Sequence, residues 1–161
     1  MPKLIKGDQV VEDNWHFVGL EDTDYSTYDR VILPLAKWLE LDDAARLGGH
    51  TAPWIDSGEE FEEAFAKVLQ APMVVVHFPV FMDGRGFSTA EILRNRGGYQ
   101  GELRAVGNLI QDQLFFLKRC GFDSYQLREG TDLEAAVRSL QDFSVTYQTS
   151  ADTDIPLFRR R

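Results

Sequence analysis

Short apolar runs separated by amphipathic stretches dominate the pattern along the chain. Pro53–Ile55, Met73–Phe78, Leu103–Val106, Tyr125–Leu127 and Val145–Tyr147 are mostly apolar and of strand length. Each of the first four precedes a helix-start pattern: Ser57 with Glu60, Ser88 with Glu91, Asn108 with Gln111, and Thr131 with Glu134. In such a pair the first side chain accepts from the backbone N–H three residues on, and the second reaches back. Phe61, Ala64, Phe65, Val68 and Leu69 keep the i, i+3, i+4, i+7, i+8 spacing, and Leu133, Ala136, Val137 and Leu140 a shorter form of it, so each segment predicts a helix with one buried stripe. Arg94 and Arg96 before Gly97, and Lys118 and Arg119 before Gly121, mark helix ends.

Upstream, Lys3 to Val18 reads as a small β-hairpin turning at Gly7, and Glu21 to Asp29 as a polar loop. Val31–Leu33 then predicts a short strand ended by Pro34, and Leu35, Trp38 and Leu39 open a helical segment that Gly48-Gly49 terminates. Strand and helix alternating every 20 to 30 residues predict a mainly parallel α/β sheet, because a parallel partner cannot be reached by a tight turn. Two forms fit: an open, doubly wound sheet, which is the preferred expectation, or a curved sheet like part of a (β/α) barrel. Residues 1–161 read as one domain, with a hairpin and loop over 1–30, a βα core over 31–150 and a tail over 151–161.

Composition narrows the partners. A formal charge of -9 disfavours nucleic acid or an anionic membrane surface as the main partner. No run approaches the roughly 20 apolar residues of a membrane-spanning helix, and Met-Pro-Lys-Leu-Ile-Lys is not a signal peptide, so a cytoplasmic location is expected. Cys120 is the lone cysteine, which excludes an intrachain disulfide; it follows Leu114 to Leu117 and reads as core. His16, His50 and His77 show no ligand spacing, so no metal is expected.

Candidate chemistry sits in the loops after the strands, where parallel α/β proteins bind ligands. The longest is Pro79 to Phe87. Gly84 and Gly86 there permit backbone angles that align successive N–H groups, and Ser88 and Thr89 open a helix whose positive end favours an anion. Arg85 would clamp that anion, with Asp83 or Asp112 as proton carrier. The same Asp-Gly-Arg-Gly also describes an ordinary turn, and it is neither a dinucleotide fingerprint nor a phosphate loop. Asp56, Asn108, Asp112 and Arg128 end or follow neighbouring strands and could converge on the same face. His77 reads more readily as a satisfied core histidine than as a site residue.

The run Phe78-Pro79 through Thr89, then Glu102-Leu103-Arg104-Ala105-Val106-Gly107, Asp112 to Leu117 and Arg119-Cys120-Gly121-Phe122-Asp123, resembles a bacterial family of unknown function. Its genes lie beside those of assimilatory sulfite reductase, and its members are often labelled oxidoreductases. The likeness extends to Asp142-Phe143-Ser144-Val145 and Pro156-Leu157-Phe158-Arg159. The resemblance implies an accessory protein or oxidoreductase of sulfite reduction, and it supplies no catalytic residues and no cofactor. The apolar and basic tail Pro156 to Arg161 is then the candidate contact for a sulfite reductase subunit. The alternative expectation is an enzyme acting on a small anionic, sulfite- or phosphate-like substrate bound at Asp83 to Thr89.

Overall fold

The computed structural model describes residues 2–80 and 84–141. Asp83, the strand expected at Val145–Tyr147 and the tail Pro156–Arg161 lie outside the described residues. The hairpin forms as expected: β1 (Lys3–Lys6) pairs antiparallel with β2 (Gln9–Glu12) around Gly7, whose φ of 64° suits a tight turn. The predicted hairpin region runs on, however, into a separate two-residue strand, β3 (His16–Phe17). It pairs in parallel with β4 (Val31–Pro34).

From β3 onward each strand lies parallel to the next. β5 (Thr51–Asp56), β6 (Met73–Phe78), β7 (Glu102–Gly107) and β8 (Ser124–Tyr125) continue the ladder, and β1 adds antiparallel to β8. The eight-stranded order is β2-β1-β8-β7-β6-β5-β4-β3. A doubly wound sheet needs a point where strand order reverses. Here the parallel order is monotonic, so right-handed crossovers all put their helices on one face. Of the two expected arrangements, the protein therefore takes the one resembling part of a (β/α) barrel.

Packing agrees. Val74, Val76 and Phe78 point from β6 into the large core with Trp38, Val68, Leu93, Leu114, Leu117 and Leu140, whereas Ile32, Ala52, Trp54, Met73, Val75 and Val106 form a second cluster free of helical residues. The helices supplying the first cluster are α1 (Leu35–Leu39), α3 (Phe65–Val68), α4 (Gly84–Glu91, continued by a π turn at Ile92–Arg96), α5 (Leu114–Cys120) and α6 (Leu133–Gln141). The helical segment expected up to Gly48 breaks in two, because Asp42 accepts from the N–H of Ala45 and starts α2 (Asp43–Leu47) afresh. Cys120 is buried in the helix-side core, as expected.

The chain itself forces the sheet to curl. Strands β2 and β3 occupy opposite edges, yet only residues 13–15 separate them. Laid flat, eight strands would hold their edges about 34 Å apart, while the chain from Glu12 to His16 reaches at most about 14 Å. The two edges must approach each other, and the linking residues pass over the helix-free face, the one that no helix among the described residues covers. There Asp13 Oδ1 accepts from Nη1 of Arg104 at 3.1 Å, and Trp15 packs on the second cluster. Arg104 also donates through Nη2 to Glu102 Oε1 at 3.2 Å.

None of the four expected helix starts falls where expected: the turn after Asn108 spans Gln111–Gln113 and starts from Ile110, whose N–H donates to Gln113 Oε1 at 3.2 Å. Asp132, a stronger cap than its neighbour Thr131, accepts from the N–H of Ala135 and starts α6. Ser88 lies inside α4 and is exposed, and the buried Ser57 hydroxyl has no hydrogen-bond partner among the described residues. Two glycines do not delay α4: Gly86 is helical because a Cβ there would lie 2.3 Å from the Phe78 ring, so small size lets the helix press onto β6.

Candidate functional site

The carboxyl ends of β3, β6 and β7 meet the residues just after β8 around an open cavity of about 270 Å³, lined by Phe17, His77, Val106, Gly107, Gln126 and Leu127. Its chemical centre is a pair of side chains on adjacent strands. Asp56 and His77 are register partners of β5 and β6, both side chains alternate onto the helix-free face, and His77 Nδ1 lies 3.0 Å from Asp56 Oδ1. An ionised carboxylate only accepts, so Nδ1 carries the proton of this hydrogen bond, and in the neutral form of the ring Nε2 is the nitrogen with the lone pair. Both side chains are partly exposed, which leaves them reachable from solvent.

An aromatic wall fixes the imidazole. Phe17 and Trp54 stack with centroids 5.2 Å apart, Trp54 meets the His77 ring edge-on at 5.4 Å, and Phe17 lies 5.9 Å from it. Trp54 is locked in turn, since Nε1 donates to the buried Val18 carbonyl at 2.8 Å. Gly107 shapes the floor: its φ is +105°, and a Cβ would lie 2.4 Å from the Phe78 carbonyl oxygen. That close approach lets the N–H of Asn108 reach the same oxygen at 2.8 Å, seating Asn108 beside the end of β6.

The residues expected from sequence divide into groups. Asn108 and Arg128 do come together, with Arg128 Nε donating to Asn108 Oδ1 at 2.9 Å and Nη2 to the same oxygen. Arg85 lies against the loop that follows Asp56, because a Cβ on Gly58 would fall 2.6 Å from its Cζ. Gly84 and Gly86, expected in the loop before the helix, belong to the first turn of α4, and the Thr89 hydroxyl donates to the Arg85 carbonyl one turn back at 3.2 Å. Asp112 is exposed in the 3-10 turn before α5, at Gln111–Gln113, and does not line the cavity. His77 is satisfied, as a core histidine would be, but its partner is a carboxylate and its ring faces a cavity.

Phe17, Trp54 and Gln126 escape sequence reasoning because nothing in their local pattern sets them apart from core residues. The Asp56–His77 pair was within reach, since ends of consecutive parallel strands pair in register. Among the described residues no three His, Cys, Asp or Glu side chains cluster as a metal site, and no helix is long and apolar enough to cross a membrane.

Fold and site together define a mixed α/β protein on a curled, mostly parallel eight-stranded sheet, with a histidine–aspartate pair at its carboxyl rim. The chain belongs to the bacterial family of unknown function DUF934, which it matches over residues 52–158. That span includes Asp56, His77, Asn108, Gln126 and Arg128, while Asp13 and Phe17 come from the part before it. No curated protein matches the chain.

Proposed function

We propose that this protein is an enzyme that moves a proton on a small substrate held at the carboxyl rim of the sheet. His77 is the acid–base group and Asp56 its positioning partner. The observation that carries this reading is the 3.0 Å contact between His77 Nδ1 and Asp56 Oδ1 beside an open 270 Å³ cavity. Nε2 takes the proton, and the adjacent carboxylate stabilises the imidazolium that results. Phe17, Val106 and Leu127 offer apolar contact to the substrate body, the Gln126 amide gives it a polar contact, and Arg85 adds positive charge over the loop after Asp56.

A thermal-shift screen of small organic acids, sulfite, sulfate, phosphate and nucleotides tests the reading. A true ligand at 100-fold excess over its Kd is expected to stabilise the wild type by about 2.7 kcal/mol, and to bind His77→Ala at least tenfold more weakly. Hits that bind wild type and His77→Ala equally would overturn it.

A setting beside assimilatory sulfite reduction, as accessory protein or oxidoreductase, is supported by the family resemblance of Phe78–Thr89 and Glu102–Asp123. In an oxidoreductase version the His77 pair would carry the protons, and the electrons would come from a cofactor or a partner. Affinity capture from sulfate-assimilating cells is expected to recover a sulfite reductase subunit with the full chain and to lose it on deleting Pro156 to Arg161. Capture that does not depend on the tail removes its assigned contact.

A further inference from the structure

A second cavity, about 610 Å³, adjoins the first and shares Gln126 and Leu127 with it. Lys3, Arg128, Glu129 and Thr131 also line this groove. Two cations thus face one carboxylate, in a chain whose net charge is -9. Arg128 is held by a neutral group. Asn108 Oδ1 accepts from its Nε and Nη2, and the Thr131 hydroxyl donates to its carbonyl at 2.7 Å. Neither Arg128 nor Lys3 enters an ion pair among the described residues, although Glu129 follows Arg128 directly. The amide takes the Nε edge of the guanidinium and leaves the N–H groups of Nη1 for another acceptor. Orienting an arginine without neutralising it stores a positive charge in a fixed direction, the arrangement that recognises carboxylate or phosphate.

We infer that the substrate has two parts: a compact reacting head beside His77, and a far end bearing an oxyanion that Arg128 and Lys3 recognise in the adjoining groove. The inference rests on the proton-transfer reading for its head group and on the groove alone for its tail. Gln126 and Leu127 form the shared wall along which such a molecule lies. A lone sulfite- or phosphate-sized ion would fill one end of this double cavity and leave the rest empty.

Matched probes separate the two parts. Amide NMR spectra of the wild type, Arg128→Gln and His77→Ala are titrated with inorganic phosphate and with two pairs, 3-phosphoglycerate against glycerate and glutarate against butyrate. In the wild type, phosphate is expected to shift the amides of residues 126–131. The member of each pair with the extra oxyanion should bind at least tenfold more tightly than its mate. Arg128 is exposed, so Arg128→Gln should stay folded, and it should reduce that preference to less than threefold. The phosphate and carboxylate pairs tell which oxyanion is favoured. His77→Ala should weaken both members of a pair alike and keep their ratio. If Arg128→Gln removes the preference while His77→Ala changes nothing, the groove stands and the proton-transfer reading falls. Absence of a shift at residues 126–131 in the wild type, or an undiminished preference in Arg128→Gln, overturns the inference.

Discussion

Asp56→Asn is expected to lower turnover of a substrate found by the screen by about 10²- to 10⁴-fold, the usual contribution of positioned acid–base catalysis. The wild-type carboxylate can only accept, and so it selects the Nδ1-protonated imidazole. An amide at residue 56 can instead donate to Nδ1. His77 would then carry its proton on Nε2 and could no longer act there as a base. The fold should survive, because Asp56 is half-exposed and its backbone N–H is held independently by Glu59 Oε1 at 2.9 Å. Imidazole ¹⁵N spectra of His77 give a readout separate from rate, with one tautomer expected in the wild type and a changed ratio in Asp56→Asn. An unchanged tautomer together with unchanged turnover would show that the pair has no part in the reaction.

The largest stability effect is expected where the linking residues cross the helix-free face. Asp13→Ala should cost about 3 kcal/mol, measured by urea denaturation, because it strands a buried guanidinium. The side chains of Arg104 and Asp13 are 4% and 6% exposed. Glu102 remains as a second partner for Arg104, which places the loss near the lower end of the range for broken buried pairs. The Trp15 N–H, which donates to Asp13 Oδ1 at 3.0 Å, also loses its acceptor. Replacing both partners by apolar residues, Asp13→Leu with Arg104→Met, should recover part of the loss, since no buried guanidinium is then stranded, while Glu102 keeps only Lys6 at 3.9 Å. A single-variant cost below about 0.5 kcal/mol, the size of an ordinary surface change, would mean that this ion pair does not hold the crossing in place. Because Phe17 lies two residues beyond Trp15, ligand affinity at the cavity should fall in the same variant.

Much of this architecture is readable from residue order, for identifiable reasons. Met73 to Val76 is apolar without alternation, as a strand covered on both faces must be, whereas its partner Leu103 to Val106 is interrupted by Arg104. The curl is less readable. It depends on Asp13, Asn14 and Trp15 being too few to span a flat sheet, and a three-residue segment carries no periodicity. Strand β3 is only two residues long, too short to be told from the end of the preceding hairpin. The glycine-bearing segment misleads for a different reason: Gly84 and Gly86 look like turn residues, yet the space left by the Phe78 ring, a tertiary property, decides the role of Gly86. Among site residues, Asn108 and Arg128 are found because strand ends converge in a parallel sheet. Phe17 is hidden, since its place at the cavity follows from the crossing alone.

The pairing of β1 with β8 also governs the order in which the molecule can be assembled. Ile5 and Tyr125 are partners from opposite ends of the described chain, so the hairpin emerges from the ribosome long before its neighbour exists. A two-stranded hairpin is marginal by itself in water, and Leu4 and Ile5, both fully buried in the finished protein, stay uncovered during that interval. Closure at β8 is therefore a late, long-range step with a large loop-entropy cost, and a strand edge capable of joining another nascent chain persists until it occurs.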